Sequence, residues 1–434
     1  MILQLFLILY RLLWALLLPV VLAYLWWRGR RDPLYARHMA ERFGRYDRPL
    51  PQGGTWLHAV SLGETRSALA LVRLMLDRGE RVIITNFTPT GRREAERQFA
   101  ADIAAGQLAV VWAPFDMGWT YRRFFRATRP KIGLTLEVEV WPGMIFAARR
   151  AGVPLYMCNG QYATGPLARD SGGLRLRQKV MRGLTGAFVK SDLQAARFHS
   201  IGLHNTVVTG ELRFDQPVPP ALTDAARTLR DELLAPWPEV IAIASGVEGE
   251  EQIYIDLIIR LRRDATARGV TPPLFVYVPR APERFDTVAD GLAAAGLPVA
   301  RRSAVLDAGL QPVARLSPDT AVLLGDSLGE MFFYLGLSDR VIVGGGFTPR
   351  AAHNIIEPLM LGKTVLTGPQ VWTIEYPFVE AQAAGVAQSV DTPEALLTAL
   401  QQPMTDMQPR IEAFLHDHAG ASRRTLEAID AALR

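Results

Sequence analysis

From Thr55 onward the chain alternates short β-branched apolar runs with stretches of helical apolar spacing, and nothing else in it narrows the fold as much. The first series reads TWLHAV, RVIIT, LAVVW, KIGLTL, VPLYMC, AFVKS and TVVTG; the second reads VIAIAS, PLFVYV, TAVLLG, RVIVGG and KTVLTG. Strands joined by helical crossovers build parallel sheets, because two parallel neighbours cannot be linked by a tight turn. Between the series lie FDQPVPPALTD and APWPEV, whose prolines end regular structure. At 434 residues the chain is longer than the roughly 250–300 residues over which one core usually grows. The pattern predicts two Rossmann-like α/β domains, 28–215 and 237–434, joined by a linker at 216–236. Ligand should bind in a cleft lined by the carboxyl ends of the strands.

Residues 1–27, MILQLFLILYRLLWALLLPVVLAYLWW, hold only Gln4 and Arg11 as strongly polar side chains. About 20 apolar residues suffice to cross a bilayer core, so this segment is predicted to be a membrane anchor. Trp26 and Trp27 run directly into Arg28, Arg30 and Arg31, which suits an interfacial belt with the body of the protein on the cytoplasmic side and leaves no small-residue cleavage site. Arg11 is costly at a bilayer centre, so a helix lying in the interface is the second reading. Further arginines at 37, 42, 45 and 48 face only Asp32, Glu41 and Asp47, which predicts contact with anionic lipid. The net charge of +5 fits that partner, and with such an anchor the membrane rather than a nucleic acid is expected. The only cysteine, Cys158, rules out an intramolecular disulfide and reads as a small buried hydrophobe.

Several stretches could carry chemistry. SLGE occurs at 61–64 and again at 327–330, each time after an apolar strand. Glu64 opens a helix with Ala68, Leu71, Val72 and Met75 on its apolar face; the helix N-terminus favours its ionised form, making it an available base, although a plain capping carboxylate would look the same. In GLTLEVEVWPG, Glu137 and Glu139 share a face if the strand continues. One could hold substrate hydroxyls or an arginine and the other cap the helix starting near Trp141, or both could form strand-end ion pairs. TNFTPTGRREAE places Thr88, Thr90 and Gly91 at a helix start, an anion-friendly arrangement that is also an ordinary cap. In VIVGGGFTPRAAHNIIEPLMLGKTVLTGP, Gly344, Gly345 and Gly346 permit close backbone approach, while His353, Asn354 and Glu357 lie where a helix start could meet phosphate and ribose. Arg280 and Arg284 in VYVPRAPERF suit phosphate or carboxylate. There is no GxGxxG or GK[ST], so a nucleotide is expected without hydride transfer or ATP hydrolysis. The seven histidines are scattered without ligand spacing, and neither metal nor other cofactor is expected.

Together the motifs resemble the Kdo (3-deoxy-D-manno-octulosonate) transferases of lipid A assembly. The resemblance runs through WRGRRDPLYARHMAERFGRY, WLHAVSLGETRSALALV, TPTGRR, APFDMGWTYRRFF, RPKIGLTLEVEVWPG, VTGELRFD, GEEQ, VPRAPERF, LLGDSLGEMFFYLGLSD and HNIIEPLMLGKTVLTGP. It implies a GT-B fold, a CMP-Kdo donor, a lipid A precursor as acceptor, an inner-membrane anchor with the catalytic domains in the cytoplasm, and inversion at the anomeric carbon. On this reading Glu64 is the general base of an S-V-G-E motif, and Glu137 and Glu139 are the acids of an E-T-E-L-W-P element. Ser61, Gly63, Arg66, Thr88, Thr90 and Gly91 lie on the acceptor side. Arg280, Gly325, Glu330, Gly345, His353, Asn354 and Glu357 lie on the donor side. The chain departs from the family pattern at Gly246 and Val247 (for T-H in A-S-T-H-E-G-E-E), at Ala281 (for H in P-R-H-P-E-R-F), and at Ala351 and Ala352 (for G-G in G-G-H-N). These changes cluster on the donor side and leave room for a paralogue using another activated acidic sugar. A nucleotide-sugar epimerase on the same fold, or a silent lipid-binding relative, are the other readings; retention of Glu64 speaks against the last.

Overall fold

The apolar runs form two parallel sheets of seven strands each in a computed structural model that describes residues 1–403 and 406–434. The first sheet contains β1 (Thr55–His58), β2 (Val82–Asn86), β3 (Leu108–Trp112), β4 (Ile132–Leu136), β5 (Leu155–Gly160), β6 (Gly186–Val189) and β7 (Thr206–Val208), in the order β3-β2-β1-β4-β5-β6-β7. The second contains β8 (Val240–Gly246), β9 (Leu274–Pro279), β10 (Val299–Arg301), β11 (Val322–Leu324), β12 (Arg340–Val343), β13 (Val365–Thr367) and β14 (Ala387–Ser389), in the order β10-β11-β9-β8-β12-β13-β14. Every pairing is parallel. In both sheets the chain reverses its direction of winding beside the first strand, between β1 and β4 and between β8 and β12. That reversal splays the neighbouring loops and leaves a crevice at the carboxyl ends.

The central strands are buried on both faces, as parallel strands under helices must be. Side chains alternate between the two layers: Leu57 and Ile84 enter one core with Leu71, Val72 and Met75, while Trp56 and Ile83 enter the other with Phe124, Phe125, Met144 and Ile145. The helices supplying these layers in the first half are α1 (Ile2–Gly29), α2 (Leu62–Ser67), α3 (Leu69–Asp77), α4 (Pro89–Gln98), α5 (Ala100–Ala104), α6 (Gly118–Thr128) and α7 (Pro142–Ala151).

The domain boundaries differ from the sequence expectation. One unit comprises Met1–Gln216 and His418–Arg434, the other Pro217–Asp417. The final helix, Ala421–Ala432, therefore does not belong with 237–417: its Leu426 and Ile429 enter the core that contains α3. Asp215 fixes the start of this helix by accepting from the Gly420 and Ser422 amides (2.7 and 2.5 Å), and Arg424 donates to the Thr209 carbonyl. The segment expected as linker forms a helix, Pro220–Glu232, with Ala226 and Leu229 buried in the second unit. Proline is tolerated there because it stands at the first helical position, whose N–H has no partner in any case.

The apolar N-terminal segment is α1, long and apolar enough to cross a membrane. It lies along the first unit: Phe6, Trp14, Leu18, Leu22 and Leu25 pack against it, and the Tyr10 hydroxyl donates to Asp116 (2.6 Å). The opposite face leaves Leu5, Leu9, Leu12, Leu16 and Val20 exposed. Arg30 and Arg31 lie over Trp26 and Trp27. The expected lipid-facing arginine cluster loses one member: Arg42 is fully buried, its guanidinium without a hydrogen bond but stacked over Trp112 (4.1 Å) and Phe87 (5.3 Å). Neighbouring Glu41 is taken by Arg92 (2.6 Å) and the Trp112 amide.

Two buried features carry measurable consequences. Lys190 and Glu211 form an ion pair at 2.6 Å with almost no exposure, and Asn159 donates to the same carboxylate (2.7 Å). Burial alone would raise the Glu211 carboxyl, but Lys190 and Arg213 outweigh it and hold it at about 2. Its stabilising contribution is complete above the ordinary value of 4.5 and is lost as pH falls from there toward 2. Lys190→Met strands the carboxylate, and urea unfolding should show a loss of about 3–5 kcal/mol. At Ala351, φ is +64°, a left-handed conformation that costs a non-glycine residue about 1–2 kcal/mol, at a position where the family pattern has glycine. Ala351→Gly should therefore raise the unfolding free energy by about 0.5–1 kcal/mol, the strain relieved exceeding the entropy glycine loses.

Candidate functional site

The loop leaving β1 turns directly into α2, and Glu64 sits in its first turn. Ser61 is the N-cap: its hydroxyl accepts from the Glu64 amide (3.4 Å), while Glu64 Oε2 accepts from the Val60 and Ser61 amides. Glu64 is thus a capping carboxylate, yet only one of its oxygens is committed. Oε1 accepts no hydrogen bond among the described residues. The expectation of a base ionised at neutral pH is corrected, because burial, with help from Glu137 and Glu139, raises this carboxyl to about 8 despite the two amides. The helix itself is shorter than expected, since α2 ends at Ser67 and Leu71, Val72 and Met75 belong to α3. Gly63 is not in the left-handed region, and a side chain there would meet nothing nearer than Ser61 Oγ at 3.9 Å. Glycine is not needed for the turn; it leaves the surface beside Glu64 bare.

The loop after β2 packs onto the same place. The amides of Phe87 and Thr88 both donate to the Val60 carbonyl (3.2 and 3.1 Å), and Thr88 caps α4 by accepting from Gly91. A side chain on Gly91 would begin 3.0 Å from the Ser61 backbone, so glycine lets the two loops approach without displacing either. Thr90 donates to the Thr88 hydroxyl, and Arg66 pairs with Glu94 (3.3 Å). Ser61, Gly63, Glu64, Thr88, Thr90 and Gly91 therefore share one patch.

The loop after β4 completes it, with a geometry the sequence did not suggest. The strand ends at Leu136 and Glu137 adopts φ +54°, so the two glutamates do not continue an alternation. Glu137 pairs with Arg213 (2.5 Å), and Glu139 accepts from Trp141 Nε1 (2.5 Å). Neither caps α7; buried Asp116 does, accepting from the Gly143 and Met144 amides (2.8 and 2.6 Å). Burial raises the Glu139 carboxyl, and Glu137 adds to this against the pull of Trp141 and Arg177. The Trp141 ring meets His58 and Phe87 edge-on (4.7 and 5.6 Å), which ties the three loops together. Burial pushes His58 down to about 3, so its imidazole is neutral; Nδ1 lies 2.9 Å from Thr85 Oγ1 and Nε2 has no partner.

In the second unit the loops after β8 and β12 meet at that sheet's own reversal. Buried Glu250 accepts from the amides of Gly345 (2.7 Å), Phe347 (2.9 Å) and Val247 (3.4 Å). The close backbone approach expected at Gly345 is made by Glu250 and the Ala351 backbone: its amide is used, and glycine is required there because a Cβ would lie 2.1 Å from the Ala351 carbonyl. Arg280 and His353 come together: burial and the nearby Arg280 push the imidazole down to about 4. Asn354 Oδ1 accepts from the Ile356 amide (3.0 Å), capping the short helix Ile356–Met360 that carries Glu357. Gly325 answers a packing need, its Cβ position lying 2.9 Å from the Tyr334 ring. Glu330 has both oxygens on Arg302 (2.8 Å each) and is the N-cap of Met331–Gly336, following Gly329 at φ +85°. The two SLGE stretches are therefore not structural counterparts. Arg284 pairs with Glu251 (2.6 Å) and Glu248 (3.5 Å). Where the family pattern has threonine, Gly246 leaves its space to the Tyr277 ring, 2.4 Å from the Cβ position. Among the described residues no three His, Cys, Asp or Glu side chains group as metal ligands do.

Sequence reasoning missed four residues that build these loops: His58, Asp116, Arg213 and Glu250. Each lies within a motif run, WLHAV, APFDMGW, VTGELRFD and GEEQ, but nothing local distinguishes a carboxylate that binds amides from one on the surface.

The family description 3-deoxy-D-manno-octulosonic-acid transferase (kdotransferase) matches residues 37–216. The 3-deoxy-D-manno-octulosonic acid transferase of Bordetella pertussis is 38% identical over 95% of this chain and 96% of its own length. That of Haemophilus influenzae is 28% identical over 95% of both. Solved structures share the fold at low identity: a putative UDP-N-acetylglucosamine 2-epimerase from Listeria monocytogenes (TM-score 0.56, 14% identity, 88% of this chain and 97% of that one) and a glycosyltransferase from Rickettsia africae (TM-score 0.55, 13% identity, 88% and 99%). Fold alone does not separate epimerase from transferase, but identity along nearly the whole length does, and the chain belongs to the 3-deoxy-D-manno-octulosonic acid transferase family.

Proposed function

We propose that this Kdo transferase takes CMP-Kdo as donor and a hydroxyl of a lipid A precursor as acceptor, at the cytoplasmic face of the inner membrane, with inversion in a single displacement. The observation that carries the reading is the uncommitted Oε1 of Glu64 at the β1–β4 reversal: one oxygen is fixed by backbone amides, and the other can take a proton. Glu64 removes the acceptor proton as its oxygen attacks the anomeric carbon and CMP leaves. Glu137 and Glu139 raise the basicity of Glu64, and Arg213 and Trp141 hold these two acids in place. Ser61, Gly63, Arg66, Thr88, Thr90 and Gly91 make up the acceptor side. In the second unit Arg280, with a neutral His353, Asn354 and Glu357, receives the nucleotide, and Arg280 meets the charge that develops on the departing phosphate. Gly325, Glu330 and Gly345 shape that side. The exposed apolar face of α1 supports a seat at the membrane, where a lipid acceptor resides.

The purified protein should release CMP from CMP-Kdo only when a lipid A precursor is present. Release without acceptor dependence, or turnover of a soluble nucleotide sugar alone, would sink the reading. Because Glu64 must lose its proton to act, kcat/KM should climb with pH and level off above about 8. Glu64→Gln should abolish that rise and lower kcat by about 10²–10⁴-fold. The sign for stability is opposite. The folded state binds this proton more tightly than the unfolded one, so the contribution is complete below 4.5 and is lost as pH rises through 8. Melting curves should therefore show Glu64→Gln gaining on the parent protein across that interval.

A further inference from the structure

Arg11 is the one charge in the apolar body of α1, and the fold gives it a companion. It lines a shallow recess, open to the surface, between α1 and the start of α7, together with Arg150, Leu7, Phe146, Gly118 and Pro142. Arg150 Nη1 lies 3.8 Å from where a side chain on Gly118 would begin, which sets the guanidinium over the first turn of α6, a turn that no side chain caps. Both arginines are exposed, and neither has a hydrogen bond or an acidic partner among the described residues. The nearby carboxylate, Asp116, is consumed by the Tyr10 hydroxyl and the Gly143 and Met144 amides. Leu7 and Phe146 give the recess an apolar wall, and Arg11 is flanked on α1 by Ile8 and Leu12, which are 52% and 62% exposed.

Two unpaired guanidinium groups beside an apolar wall match a phosphate carrying an acyl chain: the fork of arginine binds phosphate oxygens in pairs, and the wall takes the start of the hydrocarbon. A lone cation in an apolar helix is costly in a bilayer unless an anion meets it. We propose that Arg11 and Arg150 form a binding site for the headgroup phosphate of an anionic bilayer phospholipid. The site rests on the membrane reading of α1, and it explains how a helix with a charge in its middle can seat in lipid while the first unit stays packed along it.

The test is flotation of the full-length protein with phosphatidylcholine vesicles, with and without phosphatidylglycerol, at fixed ionic strength. The parent protein should favour the anionic vesicles. The double substitution Arg11→Lys with Arg150→Lys keeps both charges but loses the paired contacts, and should lose about tenfold of that preference. Each single substitution should lose nearly as much, since both side chains hold one phosphate. Arg149→Lys, one residue outside the recess, should lose none. If the doubly substituted protein keeps its preference, diffuse charge attraction accounts for it and the site is refuted. If KM for the acceptor in neutral detergent rises with the double substitution, the recess takes the acceptor's phosphate and the assignment to bilayer lipid is wrong. If the parent protein floats with neither vesicle, the membrane reading falls with it, whereas acceptor-dependent CMP release in detergent reports on Kdo transfer separately.

Discussion

Strands that are covered on both faces by helices have no solvent-facing side on which to carry polar groups, so in each unit the chemistry is confined to the loops at the strand ends. The direction of winding then chooses among those loops. Beside β1 and beside β8 the crossovers depart on opposite sides, and the backbone leaving these strands is free to turn sharply. Two of the non-glycine residues held in the left-handed region stand at such strand ends, Glu137 after β4 and Ser245 at the end of β8. Strain gathers where side chains must be aimed rather than packed.

Buried carboxylates show how those loops are tuned. Glu211, facing Lys190, is held as an anion at about 2. Glu250 meets three backbone amides and knits two loops of the second unit together. Glu64 also meets amides, but burial, with two other acids close by, raises it to about 8. One residue type thus serves as a structural ion, a backbone clasp and a carboxyl that holds its proton near neutral pH, and the difference lies in what the rest of the fold brings within reach.

This is also why the sequence was legible in some respects and not in others. Parallel sheets, the apolar first helix and the helix starts at 61–64 and 88–91 follow from periodicity and turn chemistry, which are local. The capping role of Glu64 was visible because Ser61 stands three residues before it. Its protonation was not, because its burial, and the approach of Glu137 and Glu139 that adds to it, arise only through the β1–β4 pairing. Glu137 and Glu139 were misplaced for a related reason: alternation assumes that the strand continues, and nothing in LEVEVW announces the left-handed turn. The buried Arg42 looked like one more arginine in a basic run; only Phe87 and Trp112, distant in sequence, make it part of the interior.

The last helix, Ala421–Ala432, fills a gap in the core beside α3, and the residues between Gln216 and His418 form a unit of their own. The second unit is in effect an insertion into the first. On a ribosome, a chain made from its N-terminus would release α1 early, then complete the second unit, and only afterwards supply the segment that closes the first. The half that carries Glu64 is begun first and finished last, so a molecule interrupted shortly before its end would hold its second unit whole and Glu64 in an open core.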